Sequence, residues 1–588
     1  MLVVGLFVLA TLVMTYPVAF VLGSRLPGWP GDVHEYVWKL WYVEHALVEQ
    51  GQLPLFAPEI FHPYGLDLLR GTELTATATV LGLPLTMLFG AETSYTLQAL
   101  ASFVLTGLGV ALIVRNLTGS WLAGAVAGLA FAFSDYRMQR LGGHLNLIQT
   151  QWPVLAFYFA ERWLQSKSPR QAALAGAMVV LTAYATVQYL LALGLLLPAY
   201  TLVRGWPWLP RLRERRTLLG LAAGLAILVP VLALTLVYLD ADASGLAGHT
   251  FAEIDSYSAW PADYVTPEPH HPAADLLLRL WPSLQLERTH SERTAYLGAV
   301  AFLLAGVGLA AFRRRRAAAA YAVVGFLAAG LALGPTLQGP SGRVYVQVPA
   351  PVAATLVQAG AADLVARTLS DELATNLREG RAFVPTPATP LVATGKLDDF
   401  RAWGRLAGFA AFAVAVLAGL GAAALLKALP RGRLAGPALA VFLGALVLVD
   451  QAWLPFPTFD YRPRAVDLWL AQQPGDFALA YFPVGAAYSG SSNYATTVHG
   501  KKIAYGYATF PPAPYRQKMD DLRTFPKPSA LSLLASWDVK YVLVSPDAYG
   551  AQWREVEQEV AASPYLRPVV VMDGIRIYEL LPARGGFR

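Results

Sequence analysis

Two carboxylates open the most chemically suggestive stretch of this 588-residue sequence, Pro30-Gly31-Asp32-Val33-His34-Glu35-Tyr36, which runs on through Trp38, Trp41 and Tyr42 to Phe61-His62-Pro63-Tyr64-Gly65. A carboxylate held in a fixed place can take a proton from a hydroxyl or an amine. Asp32 is therefore a candidate general base, with Glu35 beside it as a second catalytic candidate. The same pair has a structural reading. Asp32 is an apt helix N-cap, and Glu35 three residues on completes a capping-box-like start. The two readings are compatible, because a capped helix start also holds a carboxylate rigidly.

A second stretch reads Ser134-Asp135-Tyr136-Arg137-Met138-Gln139-Arg140-Leu141-Gly142-Gly143-His144-Leu145-Asn146. Arg137 and Arg140 suit an anionic phosphate, or alternatively snorkelling toward lipid headgroups. His144 and Asn146 stand at the mouth of the next apolar stretch, where they could line a cleft. A third stretch carries Asp240-Ala241-Asp242, Glu253, Asp255, Tyr257, Asp263, Tyr264 and Pro269-His270-His271-Pro272. Tyr257 and His270 join the substrate-binding candidates. Asp-x-Asp could hold a hard divalent cation with a diphosphate, yet the tripeptide also arises in any solvated loop. Adjacent histidines rarely ligate one ion, so no metal site is assigned; no cofactor is certain, and a divalent cation stays possible.

The elements that must position these residues are membrane spans. The chain is 55% hydrophobic and 14% charged, against about 25% charged in soluble domains. Its apolar blocks are near 20 residues long, enough for a hydrocarbon core about 30 Å thick. The pattern predicts a polytopic α-helical membrane protein of about 11 transmembrane helices, near 2–22, 95–114, 119–134, 147–163, 171–184, 187–203, 217–239, 294–312, 318–336, 405–427 and 434–453. The first lacks a basic n-region and a cleavage site, and reads as a retained anchor. Residues 76–90 contain Pro84 and suit an interfacial or re-entrant piece. The absence of cysteine rules out disulfides and thiolate metal sites.

The formal net charge of +6 does not point to nucleic acid, because basic residues are not interleaved with aromatic ones. They cluster in short loops, at Lys167 and Arg170, at Arg204 to Arg216, at Arg313 to Arg316, and at Lys427, Arg431 and Arg433. The positive-inside rule makes that side cytoplasmic. The loops 23–94, 135–146, 240–293 and 337–404 and the tail then lie outside, with the N-terminus inside. The first and third of these loops are acidic, and all nine histidines, His290 among them, fall on the outer side. Val33, Tyr36, Val37, Leu40 and Leu47 predict an amphipathic helix lying flat at the headgroups. Residues 1–455 are read as a transmembrane domain. Residues 456–588 carry β-rich runs, helical patterns and an Asp573-Gly574 turn, and are read as an extracytoplasmic soluble α/β domain.

This arrangement resembles the GT-C superfamily of membrane glycosyltransferases, which includes the protein O-mannosyltransferases and the lipid-A aminoarabinose transferases. Gly31-Asp32-Val33-His34-Glu35-Tyr36 stands where those families place an Asp-Glu motif, and Arg115-Asn116-Leu117 stands at their short cytoplasmic link; here Val33 and His34 separate the two acidic residues. His144 or Asp135 falls near the family's second-loop acid. Phe400-Arg401-Ala402-Trp403-Gly404-Arg405 and the tail resemble YfhO-type bacterial membrane proteins. The resemblance covers roughly residues 1–240. It implies a cell-envelope enzyme of the bacterial plasma membrane that moves a sugar from a polyprenyl-phosphate donor to a glycan, lipid or protein acceptor. In that reading Asp32 is the base, Glu35 assists, Arg137 or Arg140 steadies the leaving phosphate, and the tail engages the acceptor. The rival readings are a lipid or glycan transporter or flippase, and a non-catalytic envelope scaffold. Span interiors almost free of charge weigh against the transporter.

Overall fold

A computed structural model describes residues 2–206, 214–243, 249–269, 271–272, 274–280, 293–397, 400–429, 434–487 and 489–582. Of the side chains discussed above, His270, His290, Arg211, Arg213, Arg431 and Arg433 lie outside the described residues, as do the side chains of Asp240 and Asp242. Helices occupy the apolar stretches. They run Leu2–Met14, Ala91–Thr118, Trp121–Ala132, Gln151–Ser166, Pro169–Ala185, Val187–Gly205, Arg215–Ile227 with Val229–Ala243, Ala299–Phe312, Arg316–Ala332, Ala407–Ala428 and Ala435–Asp450. Among the described residues four stretches are long and apolar enough to cross a membrane, Ala91–Thr118, Val187–Gly205, Arg215–Val237 and Trp403–Ala428. The chain is a polytopic α-helical membrane protein.

Local chemistry sets the helix ends. Gly119, at φ 80°, closes Ala91–Thr118 in the left-handed conformation, and the Ser120 hydroxyl accepts from Ala123 N at 3.2 Å to start the next helix. The first helix stops at Met14 rather than near residue 22. Pro17 has no N–H for the ladder, and the residue before a proline avoids the helical region. Residues 76–90 form two short helices, Ala76–Leu81 and Leu83–Phe89. At about 1.5 Å per residue neither could reach across a bilayer. Pro169–Ala185 and Val187–Gly205 are parted by Thr186 in extended conformation.

The Ala407–Ala428 helix is the axis of the bundle and is buried along most of its length. It crosses Ala299–Phe312 backbone to backbone, since a Cβ on Gly421 would fall 2.0 Å from the Leu304 carbonyl oxygen. Lipid tails are as apolar as leucine, so contact between spans depends on such small-residue packing.

The tail carries a five-stranded mixed sheet ordered Lys502–Ile503, Ala478–Phe482, Val539–Val544, Ile575–Leu580, Leu566–Met572. The first three strands are parallel, and the last two form an antiparallel hairpin turning at Asp573 and Gly574, both at positive φ. This sheet does not pack alone. Trp38, Tyr42, Ala46, Ile60, Phe61 and Leu68 of the first loop share its hydrophobic core. Arg25–Pro27 pairs antiparallel with Thr458–Asp460, and Ile503 exchanges backbone hydrogen bonds with His62 and Glu59. The first loop and the tail are one packed unit, so the division at residue 456 is not a packing boundary.

The Asp32–Glu44 helix lies inside this unit. The expectation of a helix lying flat at the headgroups is corrected, because all but a few of its side chains are buried. It packs between the Ala91–Thr118 helix and the tail's Gly490–His499 helix. The apolar spacing was real, but protein rather than lipid covers it.

Candidate active site

Gly31, at φ 115°, is the N-cap of the Asp32–Glu44 helix, and no side chain bonds the cap. Asp32 is the first helical residue, so the capping-box reading is corrected. The Asp32 side chain is half exposed, and its Oδ2 lies 3.6 Å from His144 Nε2. Glu35 turns away from the cap. It ion-pairs with buried Lys39 at 2.6 Å and accepts from the Thr72 hydroxyl at 3.1 Å.

Glu73 ties three segments together. Its carboxylate accepts from Asn146 Nδ2 at 2.8 Å, from the Thr186 hydroxyl at 3.1 Å and from Val187 N at 3.2 Å. The last bond anchors the start of the Val187–Gly205 helix, whose first N–H groups have no partner within the helix. Asn146 Oδ1 accepts in turn from the Tyr36 hydroxyl at 2.7 Å. Burial, with Glu35, Glu73 and Asp32 nearby, pushes the Tyr36 hydroxyl far above its ordinary range, so it remains a donor.

These groups line one cavity of about 620 Å³. Asp32, Glu35, Glu73, His144 and Asn146 share it with Lys396, Arg401 and Arg405 from the segment before the Ala407–Ala428 helix. Arg405 Nη1 donates to Gln188 Oε1 at 2.7 Å. Arg401 lies over the Tyr257 ring at 4.6 Å and 3.4 Å from Glu253. Burial lowers the His249 pKa, Arg401 adds to that, and Glu253 opposes it. Leu190, Leu191 and Leu234 supply an apolar part of the lining, and Tyr507, Thr509 and Phe510 come from the tail. With Lys39 and Arg70 also in the lining, five basic side chains face three acidic ones, which suits an anionic ligand.

Of the residues chosen from sequence, the cavity gathers Asp32, Glu35, His144, Asn146 and Tyr257. It does not include Arg137 or Arg140, and their assignment to an anionic phosphate is corrected. Both are wholly buried. Arg137 donates to the carbonyls of Ala132 (2.7 Å) and Ile148 (3.0 Å) and to the Ser102 hydroxyl (2.8 Å), over the Phe103 ring. Arg140 lies against the Tyr136 ring at 5.0 Å. A guanidinium can satisfy peptide carbonyls as readily as a phosphate, and sequence alone does not separate the two. Asp135 is also buried and accepts from Trp453 Nε1 and Glu268 N, so His144 is the second-loop residue that meets Asp32.

Sequence reasoning missed Glu73, Lys396 and the tail residues, and noticed Arg401 and Arg405 only as part of a resemblance. The signal available was two arginines four residues apart at a span entrance on an otherwise acidic face. Two third-loop acids serve the fold. Asp255 accepts from Arg343 and Thr336, and Asp263 from Arg293. Among the described residues no three His, Asp or Glu side chains converge as metal ligands.

Residues 80–370 match a family model described as Domain of unknown function (DUF6311). No protein of curated function matches the chain. Among solved structures, the arabinofuranosyltransferase AftD from Mycobacteria aligns with a TM-score of 0.52 at 15% identity, over 99% of this chain and 40% of that one. This chain thus spans about two fifths of that enzyme's length. The oligosaccharyltransferase of Archaeoglobus fulgidus in its apo form aligns at TM-score 0.48 and 14% identity, over 94% of this chain and 70% of that one. ArnT from Cupriavidus metallidurans bound to undecaprenyl phosphate aligns at 0.40 and 14%, over 98% and 97%.

Proposed function

We propose, from the GT-C membrane glycosyltransferase fold that this chain has, that it transfers a sugar from a polyprenyl-phosphate donor to an acceptor at the outer face of the membrane. The observation that carries the reading is a single cavity holding a helix-terminal carboxylate, a cluster of basic side chains and a leucine-lined part. Asp32 takes the proton of the acceptor hydroxyl or amine as its heteroatom attacks the anomeric carbon. The bond from that carbon to the phosphate oxygen breaks, and its electron pair stays on the phosphate. Arg405, Arg401 and Lys396 hold that charge in the place first given to Arg137 or Arg140. The prenyl chain lies along Leu190, Leu191 and Leu234. Attack from the face opposite the phosphate inverts the anomeric centre.

The orientation has its own support. The 28-residue Ala91–Thr118 helix begins against the tail, where Glu92 accepts from the Tyr494 hydroxyl at 2.7 Å. It ends near a basic group, where Arg315 donates to Leu117 O at 3.3 Å and Arg115 covers Trp121. Cavity and tail at one end and basic loops at the other match a positive-inside topology.

The test is transfer from radiolabelled polyprenyl-phosphate sugars to membrane extract by purified protein, with and without a chelator to read out any divalent cation. Asp32→Asn should lower turnover by about 100-fold or more while leaving the melting temperature within a degree or two. An Asp32→Asn protein that transfers like the wild type would sink the assignment.

A further inference from the structure

The tail contributes Tyr507, Thr509 and Phe510 to the cavity, and their backbone is fixed at both ends. Asn493 of the Gly490–His499 helix clamps Tyr507 from two directions. Its Nδ2 donates to Tyr507 O at 2.9 Å, and its Oδ1 accepts from Tyr507 N at 2.8 Å. Asn493 is buried at 1% exposure, so both bonds are shielded from water. Gly506 makes room for the clamp, since a Cβ there would fall 2.5 Å from Asn493 Oδ1. At the other end Phe510 N donates to Gly71 O at 2.8 Å, next to Thr72 and Glu73 on the carboxylate side.

The side chains so held have a distinctive chemistry. Tyr507 and Phe510 are part-exposed rings, Thr509 is an exposed hydroxyl, and Asp32 and Glu73 line the same space. A sugar ring has one apolar face of C–H groups, which an aromatic ring covers, and a rim of hydroxyls, which hydroxyls and carboxylates bond. An extended peptide would instead need a row of open backbone partners, and Tyr507 N and O and Phe510 N are already engaged. A lipid tail would need no such polar rim.

We propose that Tyr507, Thr509 and Phe510 form the acceptor subsite, and that the acceptor is a carbohydrate whose ring stacks on this wall and presents a hydroxyl toward Asp32. Asn493 is the positioning residue. The proposal rests on the transferase reading and names the acceptor class for that site.

The test is saturation-transfer NMR on the full-length protein. The probes are methyl glycosides of arabinofuranose, mannose and N-acetylglucosamine, with a blocked Ala-Ser-Ala tripeptide as control. At least one glycoside should bind the wild type. Its binding should fall about tenfold in Tyr507→Ala and Phe510→Ala, and by less in Thr509→Val, whose exposed position makes misfolding no explanation. In the transfer assay Asn493→Ala should raise the acceptor KM well beyond the donor KM, even as its lost buried bonds lower the melting temperature, a split that a general loss of fold would not give. The inference is overturned if Thr509→Val, Tyr507→Ala and Phe510→Ala, all melting like wild type, bind glycosides as well as wild type does. It is also overturned if only the tripeptide binds. Failure of the transferase reading shows elsewhere, as transfer indifferent to Asp32, and does not alter glycoside binding at this wall.

Discussion

Gly490→Ala is the perturbation that most directly probes how the tail holds the Asp32–Glu44 helix. A Cβ on Gly490 would lie 2.2 Å from Gly31 O, 2.6 Å from Glu35 N and 2.9 Å from Glu35 Cβ. Ordinary contact begins near 3.5 Å, so about 1 Å of room must be found. Two of the three atoms are backbone of the helix's first turn and cannot rotate aside. Gly490 itself is in an ordinary helical conformation, where alanine is intrinsically better by about 1 kcal/mol. A net loss can therefore come only from the contact. Overpacking of this kind costs about 1–3 kcal/mol, and a base displaced by about 1 Å costs roughly 100-fold in rate. Gly143→Ala is the control, because its Cβ would meet Asp32 Cβ at 3.5 Å and Oδ2 at 3.8 Å, which is ordinary contact. Thermal unfolding in detergent and the transfer assay should show a lower melting temperature and much slower turnover for Gly490→Ala, and little change for Gly143→Ala. A Gly490→Ala protein that melts and turns over like wild type would refute the reasoning that this contact fixes Asp32.

Three further outcomes are expected. Arg137→Ala should destabilise the protein by about 3 kcal/mol or more, since it strips buried carbonyls of a charged donor, whereas Arg405→Ala should cost activity with a smaller change in melting temperature; the reverse pattern would restore Arg137 to the site. Burial, reinforced by Arg464, lowers the His34 pKa to about 4, while its ring stacks on Tyr494, meets Phe459 edge-on and bonds Ser491. His499 is also held at about 4, by burial first, with Arg464 and Lys501 lowering it and Asp467 opposing. Because the unfolded chain binds more protons than the folded one between about 4 and 6.5, stability should fall as pH drops through that window, by up to about 3 kcal/mol for each histidine at its lower end. A melting temperature flat from pH 7 to 4.5 would contradict this, and His34→Phe should reduce the slope. Gly421→Ala, which would press a methyl 2.0 Å from Leu304 O, should cost about 1–3 kcal/mol and lower the yield of folded protein, read by size exclusion in detergent.

Much of the architecture was legible in the amino-acid order because the bilayer imposes a one-dimensional code. Unpaired backbone groups cannot sit in hydrocarbon, so apolar runs become helices, and Gly119, Ser120 and the Thr186 break mark their ends locally. That Asp32, Glu35, His144 and Asn146 would come together was also readable, since polar side chains near span entrances are few, and all four line one cavity. What the sequence could not decide is which face of a short polar helix meets protein, lipid or ligand. The Asp32–Glu44 helix has the spacing of an interfacial helix, yet the tail, more than 400 residues away in the chain, covers it through Trp38 bonding to Thr496 and His34 to Ser491. Arg137 and Arg140 carry the charge a phosphate site needs, but they fold inward to carbonyls and rings, while Arg401 and Arg405 arrive from the other end of the transmembrane region. Helix propensity and hydropathy act over a few residues and survive reading in one dimension. Partner choice for a charge is settled by which distant groups the folded chain brings within about 3 Å of it, and only the tertiary structure decides that.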